Sequence, residues 1–258
     1  MQFEIRGFKL SMRHLFIAIR FLTVLPLPLQ GRVRDEELGG SLLWFPLVGL
    51  LIGSLLLLVQ QLVSAVVPPL VVGALLLLTW VAVTGAMHLD GLADTCDGLY
   101  GGRTREERLQ IMKDPHVGAI GVVAIVSLLI AKFALLGSLP QRAATPGLWL
   151  APCLGRWAMV FLGTTMSYAR SQEGIGAPFI RHGRLPLFYG ATAFTLLATW
   201  FGGGFNGLCL MVVGIAASLL LQAIFQRMLG GVTGDALGAA GELVETMVLM
   251  AAVWLTVR

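Results

Sequence analysis

Residues 69–87, PLVVGALLLLTWVAVTGAM, form a long apolar run, and residues 88–98, HLDGLADTCDG, follow it with three aspartates. A run of about 18 or more apolar residues is long enough to cross the ~30 Å hydrocarbon core of a bilayer as a helix. Of the 258 residues, 57% are hydrophobic and 12% are charged, whereas soluble domains carry about 25% charged residues. These apolar blocks predict an all-α membrane bundle and not a β-barrel, whose strands alternate apolar and polar residues.

We predict one membrane-embedded domain over residues 1–258, with seven transmembrane helices in a polytopic bundle. The spans are expected at 41–63, 69–87, 117–138, 146–167, 186–203, 206–226 and 238–257. Residues 13–30 are apolar but contain Arg20, Pro26 and Pro28. This interruption favours an interfacial or partly inserted N-terminal helix over a full span.

The basic residues are distributed very unevenly between the two sides of such a bundle. One side holds fourteen of the 18 Lys and Arg residues, in segments 1–40, 88–116, 168–185 and 227–237. The opposite side holds only Arg142 and Arg258. Because basic loops stay in the cytoplasm during insertion, we expect a multi-pass protein of the cell inner (plasma) membrane with a cytoplasmic N-terminus and cytoplasmic polar loops. No basic patch is interleaved with aromatics, so no nucleic-acid partner is expected.

The three aspartates after the 69–87 run have a spacing that suits a metal site. Asp90, Asp94 and Asp97 are separated by four and then three residues, which places their carboxylates on one face of a helix. Like charges at this spacing repel, and Mg²⁺ takes one or two carboxylates together with water and phosphate oxygens. The spacing therefore indicates a Mg²⁺ site, although a solvated acidic helix end outside the membrane would look the same.

Basic residues follow the aspartates within a short distance, in GGRTREERLQIMKDPHVGAIGV at 101–122. Arg108, Lys113 and Asp114 lie on the same side of the membrane as the aspartates. Acidic metal ligands near guanidinium and ammonium groups are typical of phosphoryl transfer. Arg156 falls inside a predicted span, where a charge normally needs a partner or an acidic ligand unless it reaches the interface.

A second acidic set occurs in TGDALGAAGELVETMVLM at 233–250. Glu242 and Glu245 share a helical face, and Asp235 precedes them in a glycine-rich turn. We expect this set to converge with the aspartates of 88–98 on one polar pocket. The alternative is the ordinary preference of acids for a helix N-terminus, which explains Asp235 well and Glu245 poorly. His88 is a ligand, a proton shuttle or a structural histidine.

Taken together, these strings resemble the cobalamin synthase family, the adenosylcobinamide-GDP ribazoletransferases. The similarity extends from about residue 14 to residue 250, and its most specific part is HLDGLADTCDGL at 88–99. The other matching strings are FLTVLPLP at 21–28, FPLVGLLIG at 45–53, LQIMKDPHVGAIGV at 109–122, GRWAMV at 155–160, YAR at 168–170 and GDALGAAGELVE at 234–245. The family has an arginine where Val24 stands and Ser-Arg where Pro115-His116 stand, so these positions receive no function.

The resemblance implies a Mg²⁺-dependent membrane enzyme that joins adenosylcobinamide-GDP to α-ribazole or α-ribazole 5′-phosphate. GMP would leave, and adenosylcobalamin or its 5′-phosphate would form. We expect metal ligands at Asp90, Asp94, Asp97 and Glu242, and a proton acceptor at Asp97 or Glu245. Substrate contacts are expected from His88, Arg108, Lys113, Asp114, Arg156, Arg170 and Asp235. The lipid bilayer is the other expected partner, and a homo-oligomer is left open.

Three other functions fit parts of the pattern. A phosphotransferase of the CDP-alcohol type would also place aspartates on a membrane helix, but its D-G-x-x-A-R string is missing here. An ion-coupled transporter would use Glu242, Glu245 and Arg156 as a pathway and would show inverted repeats. A scaffold subunit would have no use for three aspartates on one helical face.

Overall fold

The computed structural model describes residues 2–139, 144–172 and 174–257, with side chains for all of these except 2–11, 144–145 and 257. Within these residues the chain forms α-helices joined by short connections, with no named strand, which confirms the all-α prediction. The helices are α1 (Gln2–Leu22), α2 (Asp35–Ser41), α3 (Phe45–Val63), α4 (Pro69–Thr84), α5 (Met87–Gly101), α6 (Arg105–Ile111), α7 (Ala119–Ser138), α8 (Ala144–Thr165), α9 (Ala177–Arg181), α10 (Leu185–Leu229) and α11 (Gly234–Val257).

The number of membrane spans is lower than predicted when it is judged by length and composition. In the described part of the chain, four stretches are long and apolar enough to cross a bilayer: Asp35–Val63, Ala119–Ser138, Leu185–Leu229 and Gly234–Thr256. The bent pair α4 and α5 would make a fifth. Each of the seven predicted spans coincides with a helix or part of one, yet the count of seven is not confirmed. Arg142 and Arg258, the predicted basic residues of the opposite side, lie outside the described residues.

Helix α10 contains two of the predicted spans and reverses direction between them. The backbone leaves the helical conformation at Gly204, where φ is 54° and ψ is −130°. Before this break, positions 192 and then 202 lie against α8 at Trp157 and then Trp149. After it, positions 214 and then 222 lie against α8 at Leu154 and then Thr165. The two halves of α10 therefore run in opposite directions along α8, as a helical hairpin.

Helix α8 is the centre of the bundle and contacts α3, α10 and α11. Its close approach to α3 depends on two glycines four residues apart. A Cβ atom on Gly49 would lie 2.4 Å from the carbonyl oxygen of Pro152, and one on Gly53 would lie 2.6 Å from that of Trp149. Small residues at this spacing let helix backbones pack closely within a membrane.

A sharp bend separates α4 from α5 and gives α5 its own direction. Gly85 and Ala86 both adopt left-handed backbone conformations, with φ of 62° and 57°. Ala86 is the only non-glycine residue with positive φ in the part of the chain that the structure describes. The two residues turn the chain through 88°, so that α5 packs across α7 and α11 instead of continuing α4.

The N-terminal helix α1 ends at Leu22, before the prolines that interrupt the predicted 13–30 segment. It is not among the described helices that are long and apolar enough to span a membrane, and its interfacial position stays a prediction. Arg13 ties it to the next segment, since its Nε donates to Glu37 over 2.7 Å and its Nη2 donates to the carbonyl of Arg32 over 3.0 Å.

Candidate functional site

The aspartates of α5 differ strongly in their surroundings although they share one helical face. Asp90 is exposed, Asp94 is half-buried and Asp97 is buried. The first turn of α11 brings a fourth carboxylate, because a Cβ atom on Gly91 would lie only 2.7 Å from the backbone oxygen of Asp235. Asp94 has Asp235 and Asp90 as its strongest like-charged neighbours. We call Asp90, Asp94 and Asp235 the aspartate cluster.

Asp97 does not line the cavity beside this cluster and instead holds the start of α7. Its two carboxylate oxygens accept the backbone N–H groups of Gly118 at 2.7 Å and Gly121 at 2.8 Å. A Cβ atom on either glycine would lie 2.4 Å from a carboxylate oxygen of Asp97. Carboxylates are favoured at helix N-termini, where backbone N–H groups have no partner within the helix. The structure thus gives Asp97 a positioning contact, while its metal and proton roles stay predictions.

Arg170 provides the cation nearest to the aspartate cluster. Its Nη2 donates to Asp235 over 2.7 Å and to the carbonyl of Met112 over 3.0 Å. The segment that carries Arg170 is fixed by backbone hydrogen bonds, since Ala169 donates to Val232 and Val232 donates to Ser167, each over 2.9 Å. With three acids and one base, the cluster and Arg170 carry a formal excess of negative charge.

The predicted convergence of the second acidic set with the first is wrong for its glutamates. Glu242 and Glu245 lie inside the bundle, 4% and 0% exposed, against Lys132 of α7 and Arg156 of α8. Lys132 Nζ donates to Glu242 over 2.6 Å and to Glu245 over 2.5 Å, and Arg156 pairs with Glu245. We call these four residues the interior charge cluster. The metal role of Glu242 and the proton role of Glu245 stay predictions.

Lys132 lies inside the predicted span 117–138, and the sequence analysis gave it no role. It is 2% exposed and also lies 4.4 Å from the ring centroid of Trp80. The sequence did contain an indication that Lys132 pairs with an acid, in the charged residues of the predicted spans. Two acids and two bases fall within them, and buried charges need partners of opposite sign.

His88 connects the interior charge cluster to the surface of a cavity. Its Nδ1 atom lies 3.3 Å from Arg156 Nη2, while its Nε2 atom has no hydrogen-bonding partner among the described residues. Because Nδ1 faces a guanidinium, which can only donate, we assign the ring proton to Nε2. His88 therefore presents an N–H donor where α5 meets the cavity.

The cavity has a volume of about 290 Å³ and lies between α5, the start of α11 and the segment around Arg170. Its polar wall consists of His88, Asp90, Tyr168, Arg170 and Asp235. Its apolar wall includes Phe21, Phe45, Phe179, Met159 and Leu237. Tyr168 Oη and Arg170 Nε are buried without a protein partner among the described residues. The cavity thus combines an aromatic surface with unpaired donors and carboxylates. Neither Glu242 nor Glu245 lines it.

Two of the basic residues between α5 and α7 support the fold. Arg105 donates to the carbonyls of Leu229 at 2.7 Å and Ala169 at 2.9 Å, and Arg108 donates to that of Met228 at 3.2 Å. The contacts with Leu229 and Met228 satisfy carbonyls in the last turn of α10, which no residue of the helix itself can reach. The predicted phosphate contact of Arg108 stays a prediction beside this observed one.

Lys113 and Asp114 are exposed, beyond the end of α6. Lys113 donates to Gln172 over 2.7 Å. The pKa of Asp114 lies below its usual value, first because the backbone N–H of His116 donates to it and then because the His116 ring does so as well. Neither residue lines the cavity, and their predicted substrate contacts stay predictions.

Among the described residues, no group of three or more His, Cys, Asp or Glu side chains is placed to hold a metal ion. Asp90 and Asp94 still offer the two carboxylates that suit Mg²⁺, which takes its other ligands from water and phosphate. The excess of negative charge in the aspartate cluster fits a divalent cation at this place.

The sequence was compared with known families and proteins. The model of the family described as cobalamin-5-phosphate synthase matches residues 14–253. A protein named adenosylcobinamide-GDP ribazoletransferase from Pseudomonas savastanoi pv. phaseolicola is 44% identical over 243 residues, covering 91% of this chain and 96% of that protein. Proteins of the same name from Pseudomonas fluorescens and Geotalea daltonii are 42% and 40% identical, covering 91% and 93% of this chain and 96% of each relative. No solved structure matches the chain.

Proposed function

The chain belongs to the cobalamin-5-phosphate synthase family, and on that premise we propose that it joins adenosylcobinamide-GDP to α-ribazole or α-ribazole 5′-phosphate and releases GMP. The observation that carries this proposal is the aspartate cluster beside a cavity that also holds unpaired donors. A site for phosphoryl transfer needs negative ligands for a metal and positive groups for phosphate oxygens, and this site has both.

We propose Asp90 and Asp94 as the ligands of Mg²⁺. Asp90 is exposed at the cavity, and Asp94 is its neighbour one helical turn away. Asp235 is the less suitable third acid because it already accepts a hydrogen bond from Arg170. Bound there, Mg²⁺ would neutralise negative charge on the phosphate oxygens of the GDP-activated substrate.

The side chains of the cavity account for the remaining parts of the reaction. A hydroxyl of α-ribazole forms a bond to the phosphorus on the cobinamide side, and the bond from that phosphorus to the oxygen of GMP breaks. The hydroxyl proton passes to a carboxylate of the cavity wall, for which we propose the oxygen of Asp90 that would not hold Mg²⁺. Asp97 has both oxygens bonded to backbone N–H groups, and Glu245 is enclosed by cations. Arg170 Nε supplies a positive donor to the phosphate.

We propose that the cavity opens on the cytoplasmic side of the inner membrane. The chain around it is rich in basic residues, and basic segments stay in the cytoplasm. The residues that carry this inference are Arg103, Arg105, Arg108, Lys113 and Arg170. A cytoplasmic opening also gives direct access to a nucleotide-activated substrate.

Release of GMP by the purified protein in liposomes tests the proposal. Adenosylcobinamide-GDP and α-ribazole are supplied together, with Mg²⁺ or with EDTA, and GMP and the corrinoid product are separated by chromatography. The wild type is expected to release GMP only with both substrates and Mg²⁺. Asp94→Asn is expected to lower the rate by about 100-fold or more, since electrostatic groups at transferring centres contribute ~10²–10³ in rate.

Glu106→Gln is the matched control, because Glu106 is an exposed acid on α6 outside the cavity. It removes one negative charge in the same region and is expected to keep the wild-type rate. Normal product formation by Asp94→Asn with unchanged Mg²⁺ dependence would refute the metal role of Asp94. Corrinoid uptake into the vesicles without GMP release would identify a transporter instead.

A further inference from the structure

We propose that the cavity binds the ribonucleoside substrate, with the aromatic base against the three phenylalanines and the ribose hydroxyls against the polar wall. This inference rests on the proposed function for the identity of the nucleoside, α-ribazole. It goes further by assigning that substrate, and not the corrinoid or the guanosine, to one defined place. The positions of Phe21, Phe45, Phe179 and Tyr168 carry the assignment.

The apolar wall of the cavity is built for a flat aromatic group. The ring centroids of Phe21 and Phe179 are 4.2 Å apart, and that of Phe45 lies 6.0 Å and 5.7 Å from them. Phe45 and Phe179 are almost fully buried, which fixes their rings. Fixed aromatic surfaces favour a planar ligand, because stacked or tilted rings gain ~0.5–1.5 kcal/mol beyond area burial.

The polar wall is suited to hydroxyl groups, which both donate and accept hydrogen bonds. His88 Nε2 and Tyr168 Oη are buried donors without a protein partner among the described residues. Asp90 offers an acceptor beside them. Buried donors left unpaired cost about 1–3 kcal/mol each, so a ligand that accepts from them gains specific binding. A ribose supplies several hydroxyls at the spacing of neighbouring carbons.

The size of the cavity decides against the corrinoid. Its volume is about 290 Å³, just below the ~300–1,000 Å³ typical of small-molecule sites. One nucleoside fits such a space, whereas a corrin macrocycle with its side chains does not. The corrinoid part of the other substrate must therefore lie outside this cavity.

The chemistry of the apolar wall also separates the two nucleosides of the reaction. Guanine carries a carbonyl, a ring N–H and an amino group on its edge, all of which need partners when they are buried. The base of α-ribazole is a benzimidazole with two methyl groups and no such edge. The apolar wall suits the benzimidazole and offers no hydrogen-bonding partner to the polar edge of guanine. Its side chains are those of Phe21, Phe45, Phe179 and Met159.

Equilibrium binding to the purified full-length protein, measured without turnover, tests this assignment. The probes are α-ribazole alone and GDP alone, each titrated by calorimetry. Tyr168→Phe removes only the hydroxyl and is expected to weaken α-ribazole binding about tenfold. Phe45→Leu, which keeps most of the side-chain volume, is expected to weaken it by a similar factor, and neither variant is expected to change the affinity for GDP.

Tyr189→Phe and Phe188→Leu are the matched controls, since both residues belong to a separate aromatic group with Trp157 and Phe161. Both controls are expected to bind α-ribazole as the wild type does. Unchanged α-ribazole affinity in Tyr168→Phe overturns the proposal, as does an equal loss for both probes. A loss for GDP alone overturns it too and assigns the cavity to guanosine.

GMP release in the same preparations distinguishes this proposal from the proposed function. Wild-type protein that binds α-ribazole through Tyr168 but releases no GMP contradicts the proposed function and leaves the binding site in place. Wild-type protein that releases GMP while Tyr168→Phe keeps its affinity and its KM for α-ribazole contradicts the binding site alone.

Discussion

The aspartate cluster and the interior charge cluster use the same residue types in opposite ways. The interior charge cluster pairs two acids with two bases, all at most 4% exposed. The aspartate cluster sets three acids against Arg170, with Asp90 exposed at a cavity. Charges that are fully enclosed must neutralise each other, because each ion loses its hydration. Charges that face a cavity can be left in excess for a ligand to neutralise.

The comparison shows that the interior charge cluster links helices, and it supports the proposal that the aspartate cluster binds the reactants. Lys132, Arg156 and Glu245 connect α7, α8 and α11 through buried contacts. Asp90 and Asp94 make no ion pair within 4 Å in the described part of the chain. Variants of the interior charge cluster should therefore lose stability. Variants of the aspartate cluster should lose activity at nearly constant stability.

The largest effect is expected for Glu245→Gln. This change leaves Arg156 and Lys132 with one buried carboxylate between them, and removing one partner of a buried ion pair costs about 3–5 kcal/mol. The unfolding free energy, measured by SDS titration of the purified protein in detergent, should fall by this amount. Glu106→Gln should leave it within ~0.5 kcal/mol, because Glu106 is exposed. Equal unfolding free energies of the two variants would contradict the stabilising role of the interior charge cluster.

Asp90→Asn is expected to have the next largest effect, and on activity alone. GMP release should fall about 100-fold or more through loss of a Mg²⁺ ligand. The SDS unfolding midpoint should match that of the wild type, since Asp90 is exposed. A variant with normal GMP release but lower stability would place Asp90 with the structural residues.

Asp97→Asn tests whether Asp97 is a structural residue or a metal ligand. An asparagine keeps one acceptor for Gly118 or Gly121 and loses the charge that favours the N-terminus of α7. The unfolding free energy should fall by about 1–2 kcal/mol. Titration of the rate with Mg²⁺ provides the second measurement. An unchanged Mg²⁺ requirement assigns Asp97 to positioning, whereas a higher requirement restores its predicted metal role.

The smallest effect is expected for Arg105→Lys. An ammonium group cannot reach the carbonyls of Leu229 and Ala169 with the fork that arginine provides. The unfolding free energy should fall by about 1 kcal/mol, at unchanged KM for adenosylcobinamide-GDP. A clear rise in this KM would show that the guanidinium contacts substrate phosphate.

Much of the fold could be predicted because hydropathy acts over short stretches of sequence. The seven apolar blocks each coincide with α3, α4, α7, α8, α11 or one half of α10, whereas the predicted 13–30 segment overlaps only the second half of α1. The aspartate spacing placed Asp90, Asp94 and Asp97 on one helix, which the structure confirms. It could not show that Asp97 would bond to Gly118 and Gly121, because that contact depends on where α7 begins.

Contacts between residues far apart in the chain could not be predicted from the sequence, because they depend on how the helices pack. The partners Lys132 and Glu242 are separated by 110 positions, and only the packing of α7 on α11 brings them together. Helical spacing put Glu242 and Glu245 on one face but left open which face of the bundle they meet. The same limit applied to Tyr168, whose place in the cavity follows from the backbone hydrogen bonds between Ala169 and Val232.

The hairpin at Gly204 has a consequence for the synthesis of the protein. No charged residue lies between Arg184, which precedes α10, and Arg227 in its last turn. A translocon that releases both halves together moves no charge through the lipid, where each arginine would cost ~2.5–3.5 kcal/mol. In the cytoplasmic orientation that we propose, the two arginines would retain both ends of the hairpin on the side where the ribosome stands. The glycine-rich turn can thus reach the far side early, before α11 has been translated.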